Sequence, residues 1–204
     1  MSSITFGQVR EPGIAQVHEP IALHPTQAGS SACVCIRPDP LPAYALLTKY
    51  ANSGAYTDCF TTDITRTVSH AEFVEAFYTG RLFKLERLLL RVFLSKPSTD
   101  FQARQLALGE LNEFAAWTVE ARAENQLLLR AIDGRTWSWL MVSAAEVPGR
   151  TRLYFGSAVV PLAKSVNPST GTSEMGYVFK ALLGCHKLYS RALLSATARR
   201  LSLI

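Results

Sequence analysis

The chain has 204 residues, 48% of them hydrophobic and 18% charged, a length that suits one well-stocked core and a composition that excludes a fully disordered chain. The formal net charge of +5 is a mild basic excess that permits contact with an anionic lipid surface. RNA-binding motifs, zinc-finger spacings and aromatic–basic repeats do not occur, so nucleic acid is not an expected partner.

Residues 1–42 carry six prolines, Pro12, Pro20, Pro25, Pro38, Pro40 and Pro42, with Gly13, Gly29 and Ser30-Ser31 between them. No apolar period survives there, which predicts an extended arm preceding a single domain over residues 43–204. Short strands at Ile21–Leu23 and Cys33–Ile36 are the alternative. Residues 1–10 show no apolar run behind a basic start, and no stretch is long and apolar enough to span a bilayer, so a secretory signal and a membrane span are not expected. The four cysteines are Cys33, Cys35, Cys59 and Cys185. Cys-Val-Cys is neither a redox nor a zinc spacing, which leaves reduced thiols, a cytoplasmic location, and no metal or cofactor as expectations.

The folded part is expected to open with a helical turn at Tyr44–Tyr50 and an alternating strand at Tyr56–Thr65. Ser69 and Glu72 then form a capping box, with Val68 and Phe73 placed as its hydrophobic staple. Phe73 and Phe77 supply the buried face of that helix, and Gly80 is placed to end it in a left-handed conformation. A second helix runs from Arg81 to Leu94 and stops before Pro97; a third starts near Ser98 or Thr99 and ends around Gly109. From Phe114 the period changes to two. Strands containing Trp117–Arg122, Gln126–Ile132, Arg135–Ser143 and Thr151–Val160 form a meander, its second and third members joined through Asp133-Gly134, expected as a type I′ turn, and the last entered through Pro148-Gly149. A long helix from Glu174 to Leu201 closes the chain, with Met175, Val178, Phe179, Leu182, His186, Tyr189 and Leu193 on one stripe. The order predicts an α+β fold.

Four segments carry a resemblance: Tyr56-x-Asp58-x-Phe60, the stretch from Glu124 to Trp139, Arg152-x-Tyr154, and Cys185-His186-Lys187-Leu188-Tyr189-Ser190-Arg191, set in the order strand, helices, meander, long helix. The chain resembles the START-like (SRPBCC) superfamily, and within it a bacterial family of uncharacterised proteins. The resemblance covers residues 56 to about 200 and implies a helix-grip fold, in which an antiparallel sheet wraps around a long C-terminal helix. Such folds often have seven strands, and five are clear here. The superfamily includes lipid carriers, hormone receptors and cyclases, so it implies no single activity.

Among residues that bear chemistry, His186 falls on the apolar stripe and can meet Asp58 across the sheet as an acid/base pair, or be a satisfied core histidine. Trp117, Trp137, Trp139, Tyr154, Phe179 and Tyr189 are candidate walls of a ligand cavity between the sheet and the terminal helix, or ordinary core filling. Arg81, Lys84, Arg87 and Arg91 recur at helical spacing opposite Leu82, Leu85, Leu89 and Val92; this stripe either meets anionic lipid or a ligand headgroup, or is a solvated face. The leading expectation is binding of a small apolar or amphipathic molecule. The alternatives are an enzyme of cyclase, dehydratase or hydrolase type acting on a polyketide-like or aromatic substrate, and a protein-interaction module with a fully packed interior.

Overall fold

The structure, a computed structural model, describes residues 34–94, 97–160 and 174–203, and the side chains of these except 89–94, 174–183 and 185. The elements in chain order are β1 (Arg37–Pro38), α1 (Thr48–Asn52), β2 (Tyr56–Ile64), α2 (His70–Tyr78), α3 (Arg81–Leu94), α4 (Asp100–Leu108), β3 (Glu113–Phe114), β4 (Trp117–Ala123), β5 (Gln126–Ala131), β6 (Thr136–Ala144), β7 (Thr151–Val159) and α5 (Glu174–Ser202). The strands form one open antiparallel sheet in the order β1-β2-β7-β6-β5-β4-β3. The two strands beyond the five legible ones are both two residues long. One, β1, comes from the proline-rich arm and pairs with Thr61 and Phe60; the other, β3, precedes Trp117.

The helix boundaries follow from local chemistry. Ser69 Oγ accepts from the Glu72 N–H at 3.2 Å while the Glu72 carboxylate accepts from the Ser69 N–H at 2.8 Å, satisfying two of the donors a helix start leaves orphaned. Thr99 and Gln102 repeat the box at the start of α4, and Gly109 ends that helix at φ 83°. Two expected turns differ. Gly80 has no left-handed φ; α2 ends through Thr79 at φ −101°, and α3 begins directly after. In the β5–β6 connection only Gly134 has positive φ, whereas a type I′ turn needs two such residues. The Asp133 carboxylate instead accepts from the Arg135 and Thr136 N–H groups, and this Asx-type bonding holds a four-residue loop.

The two sheet faces are covered by different parts of the chain. One face carries Phe60, Leu127, Leu129, Leu140, Leu153 and Phe155 against Phe73, Phe77 and Tyr78 of α2, Leu106 of α4 and Leu193, Leu194 and Leu201 of α5. Rings fill the space between: Phe77 lies 4.8 Å from Phe155 and Tyr78 lies 4.7 Å from Phe83, centroid to centroid. The other face carries Cys59, Leu128, Trp137, Trp139, Met141, Tyr154 and Ala158, closed by Ala45 and Leu47 with Leu41, Leu46 and Tyr50 beside them. Backbone approaches closely at Gly156, where a Cβ would sit 2.8 Å from the Asp58 carbonyl oxygen and 3.0 Å from the Trp139 ring.

Candidate functional site

Asp58 of β2 and Ser157 of β7 are register partners, and strand alternation places both on the helix-covered face, in step with Phe60 and Phe155. His186 comes to them from α5. The Ser157 hydroxyl donates to Asp58 Oδ1 at 2.6 Å and the Ser157 N–H donates to the same oxygen at 3.0 Å. Tyr56 O–H donates to Asp58 Oδ2 at 3.3 Å. Ser157 Oγ lies 2.7 Å from His186 Nε2, which is itself 4.0 Å from Asp58 Oδ2.

The proton count fixes what this cluster can do. A carboxylate only accepts, so the single Ser157 proton goes to Asp58 and Ser157 Oγ must accept from His186 Nε2–H. In a nucleophilic triad the histidine takes the serine proton and the carboxylate holds the far ring nitrogen; here neither condition is met, and Ser157 is 2% exposed. The basic position left on His186 is Nδ1. Burial, with Asp58 second, raises the Tyr56 pKa above the usual phenol range, so Tyr56 stays a neutral donor. Burial likewise pushes the Cys59 thiol up to about 12, with Asp39 and Asp58 adding to it, which keeps that thiol out of thiolate chemistry.

Beside the cluster lies an open groove of about 520 Å³. Its floor is the Tyr56–Phe60 stretch of β2, one wall is Pro38, Pro40 and Leu41 leaving β1, and the other is Lys187 and Arg191 of α5. Lys187 Nζ stands 5.6 Å from the Tyr56 ring centroid, a cation–π contact. A smaller groove of about 170 Å³ is lined by Leu82, Leu85, Glu86 and Tyr189. There the Tyr189 hydroxyl donates to Glu86, whose pKa burial raises against the opposing effect of that hydrogen bond.

Asp58 and His186 therefore come together as expected from sequence, but through Ser157. The aromatic set does not converge. Trp137, Trp139 and Tyr154 belong to the face opposite α5, so they cannot wall a cavity between sheet and terminal helix. Alternation puts both tryptophans on one face without saying which, and the 41–50 segment covers theirs. Trp139 is fully buried, its indole N–H donating to Gln126 Oε1 at 2.9 Å, an oxygen that also accepts from the Leu46 N–H. Trp137 N–H donates at 2.6 Å to Glu120, which sits at a bulge in β4 and also accepts from Lys49 and Tyr50. Burial would raise the Glu120 pKa, but these donors outweigh it and hold the carboxyl below its usual range. Trp117 and Tyr189 are half-buried on the helix face, while the Phe179 side chain lies outside the described residues.

Two cations of the basic stripe pair with an acid of α4. Arg87 is 10% exposed, bonds Asp100 Oδ1 at 2.6 Å and lies over the Phe114 ring; Lys84 bonds Asp100 Oδ2 at 2.5 Å. Asp100, the first residue of α4, pairs with both cations, Arg87 largely buried and Lys84 half exposed, and Leu85 and Leu88 are exposed beside them. Arg81 is exposed, and the Arg91 side chain lies outside the described residues.

Sequence reasoning missed Ser157, Lys187, Arg191, Glu120 and Gln126. The signal for Ser157 is a small polar residue at an inward strand position; for Lys187 and Arg191 it is two cations one turn apart beside His186. Among the described residues no group of three or more His, Cys, Asp or Glu side chains could hold a metal ion, and no described helix is long and apolar enough to cross a membrane. No family model, no curated protein and no solved structure matches the chain.

Proposed function

We propose that this protein binds a small amphipathic molecule in the groove between β2 and α5. The observation that carries the reading is the 520 Å³ groove itself, within the size range of small-molecule sites and framed by apolar and polar side chains in the mixture such sites use. Pro38, Pro40 and Leu41 offer hydrocarbon surface, the Tyr56 ring a flat face, and Lys187 and Arg191 a polar end. The interior behind the groove is occupied by rings and leucines, which favours the sheet edge over an enclosed cavity. Seven antiparallel strands and a C-terminal helix crossing β2 and β7 support the finer reading of a helix-grip fold with START-like kinship; the bacterial setting belongs to that resemblance, and the cytoplasmic one to the cysteine pattern.

Native mass spectrometry of the purified protein, with a solvatochromic apolar dye as probe, tests this. One-to-one dye binding that Pro40→Glu, at an exposed groove residue, abolishes without moving the melting temperature is expected. Dye binding that appears only on partial unfolding refutes it.

A second reading has its own observation. Asp58 and Ser157 hold the Nε2 side of His186, which leaves Nδ1 as the basic position on a ring retaining 31% exposure. A base so supported can accept a proton at Nδ1 while the carboxylate stabilises the imidazolium through Ser157. On that reading, a polyketide-like or aromatic substrate in the groove is turned over by the native protein, and His186→Gln abolishes turnover with dye affinity intact. Turnover that survives His186→Gln refutes it.

A further inference from the structure

We infer that the groove between β2 and α5 selects a ligand with an anionic head, a carboxylate or a phosphate, held between Lys187 and Arg191; this rests on the groove being a binding site. Four charged side chains line it: Asp39, Asp58, Lys187 and Arg191. The two acids are already answered. Asp58 accepts from the Ser157 N–H and hydroxyl and from Tyr56, and Asp39 accepts from the Thr61 hydroxyl at 3.2 Å.

The two cations are not. Both are exposed, and among the described residues neither has a carboxylate within ion-pair distance; the recorded partner of Lys187 is the face of the Tyr56 ring. They stand four residues apart on one helix, where like charges repel. An anion between them removes that repulsion and finds donors on both sides, a bidentate fork from Arg191 and a point charge from Lys187. Across the groove, Pro38, Pro40 and Leu41 present no donor side chain, so the rest of the ligand is hydrocarbon. An acid-headed amphiphile matches both walls, whereas a cationic amphiphile meets two like charges and two acids already engaged.

Titration calorimetry at low salt, with the full chain and four probes sharing a ten-carbon tail, tests this: undecanoate, decyl phosphate, decanol and decyltrimethylammonium. One or both anions should bind at least tenfold more tightly than decanol, and the stronger of the two identifies the head. Lys187→Gln with Arg191→Gln should erase that tenfold advantage by lowering anion affinity to that of decanol, with the urea midpoint as the check on the fold, since both side chains are exposed; 0.5 M salt should likewise erase it in the native protein. Equal affinity for decanol and both anions overturns anion selection while the groove remains a binding site. Tighter binding of decyltrimethylammonium also overturns it. Failure of all four probes, or anion binding that Pro40→Glu leaves intact, overturns the groove itself.

Discussion

Ser157→Ala separates a structural pin from a catalytic serine. The substitution creates no cavity and strains no backbone, so its effect is confined to the two bonds of Ser157 Oγ: 2.6 Å to Asp58 and 2.7 Å to His186. A hydrogen bond to a charged group contributes about 1.5–3 kcal/mol and a neutral one about 0.5–1.5 kcal/mol. The histidine is partly exposed and recovers much of its loss from water, whereas Asp58, with a side chain 7% exposed, does not. Asp58 keeps the Ser157 N–H and the Tyr56 hydroxyl, which limits the total to about 2–3 kcal/mol. For a chain of this size that is a fall in melting temperature of about 4–12 °C. Urea denaturation followed by tryptophan fluorescence measures it, with the slope unchanged if the denatured state is unaltered. A serine kept for nucleophilic chemistry behaves oppositely, because active-site groups are often held at the expense of stability and their removal is neutral or stabilising. A loss below about 0.5 kcal/mol, within the scatter of an ordinary surface change, refutes the pin.

Three further outcomes follow from buried groups. Burial first, with Arg122 adding to it and a hydrogen bond to the Leu140 backbone opposing, lowers the His70 pKa to about 4. His70 is therefore neutral in the fold, and its contribution is complete above the unfolded value near 6.5 and is lost as pH falls from there towards 4; at pH 5 the loss is at most about 2 kcal/mol, and His70→Phe should flatten the dependence of the urea midpoint between pH 7 and 5, an unaltered dependence assigning the acid sensitivity elsewhere. Gly156→Ala should cost about 1–3 kcal/mol by overpacking, because the new methyl meets the Asp58 carbonyl, Trp139 and Leu47 within 3.1 Å; a neutral result in thermal melts would mean that the sheet and the 41–50 segment separate easily. Trp139→Ala should cost about 3–5 kcal/mol, the range for a large aromatic in a packed core, and leave dye affinity in the groove unchanged, since Trp139 lies on the opposite face; a selective loss of binding would place the ligand on that face.

The fold was legible where local chemistry decides it. The capping box at Ser69, the helix from Arg81 to Leu94, the strand order of the meander and the terminal helix all rest on periodicity and turn residues, signals that neighbours in sequence carry. The failures occur where tertiary partners override them. In α3 the polar stripe reads as one outer face, but Asp100, sixteen residues from Lys84, pairs with that exposed lysine and holds Arg87 against the fold, while Leu85 and Leu88 are exposed. In β6 the alternation of Trp137, Ser138, Trp139 and Leu140 separates two faces, and both are buried, so polarity cannot say which meets α5; the answer lies in Gln126 and Glu120, whose side chains fasten the 41–50 segment over the tryptophans. The Asp58–His186 pairing was readable because each residue interrupts an apolar stripe. Ser157 interrupts one as well, and a buried polar side chain must find a partner. Strand alternation allows Asp58 and Ser157 to satisfy each other only if β2 and β7 are neighbours in a register that sets them side by side. That pairing spans 99 residues, and the same requirement then brings the polar position of α5 above them, which places Lys187 and Arg191 at the open edge of β2.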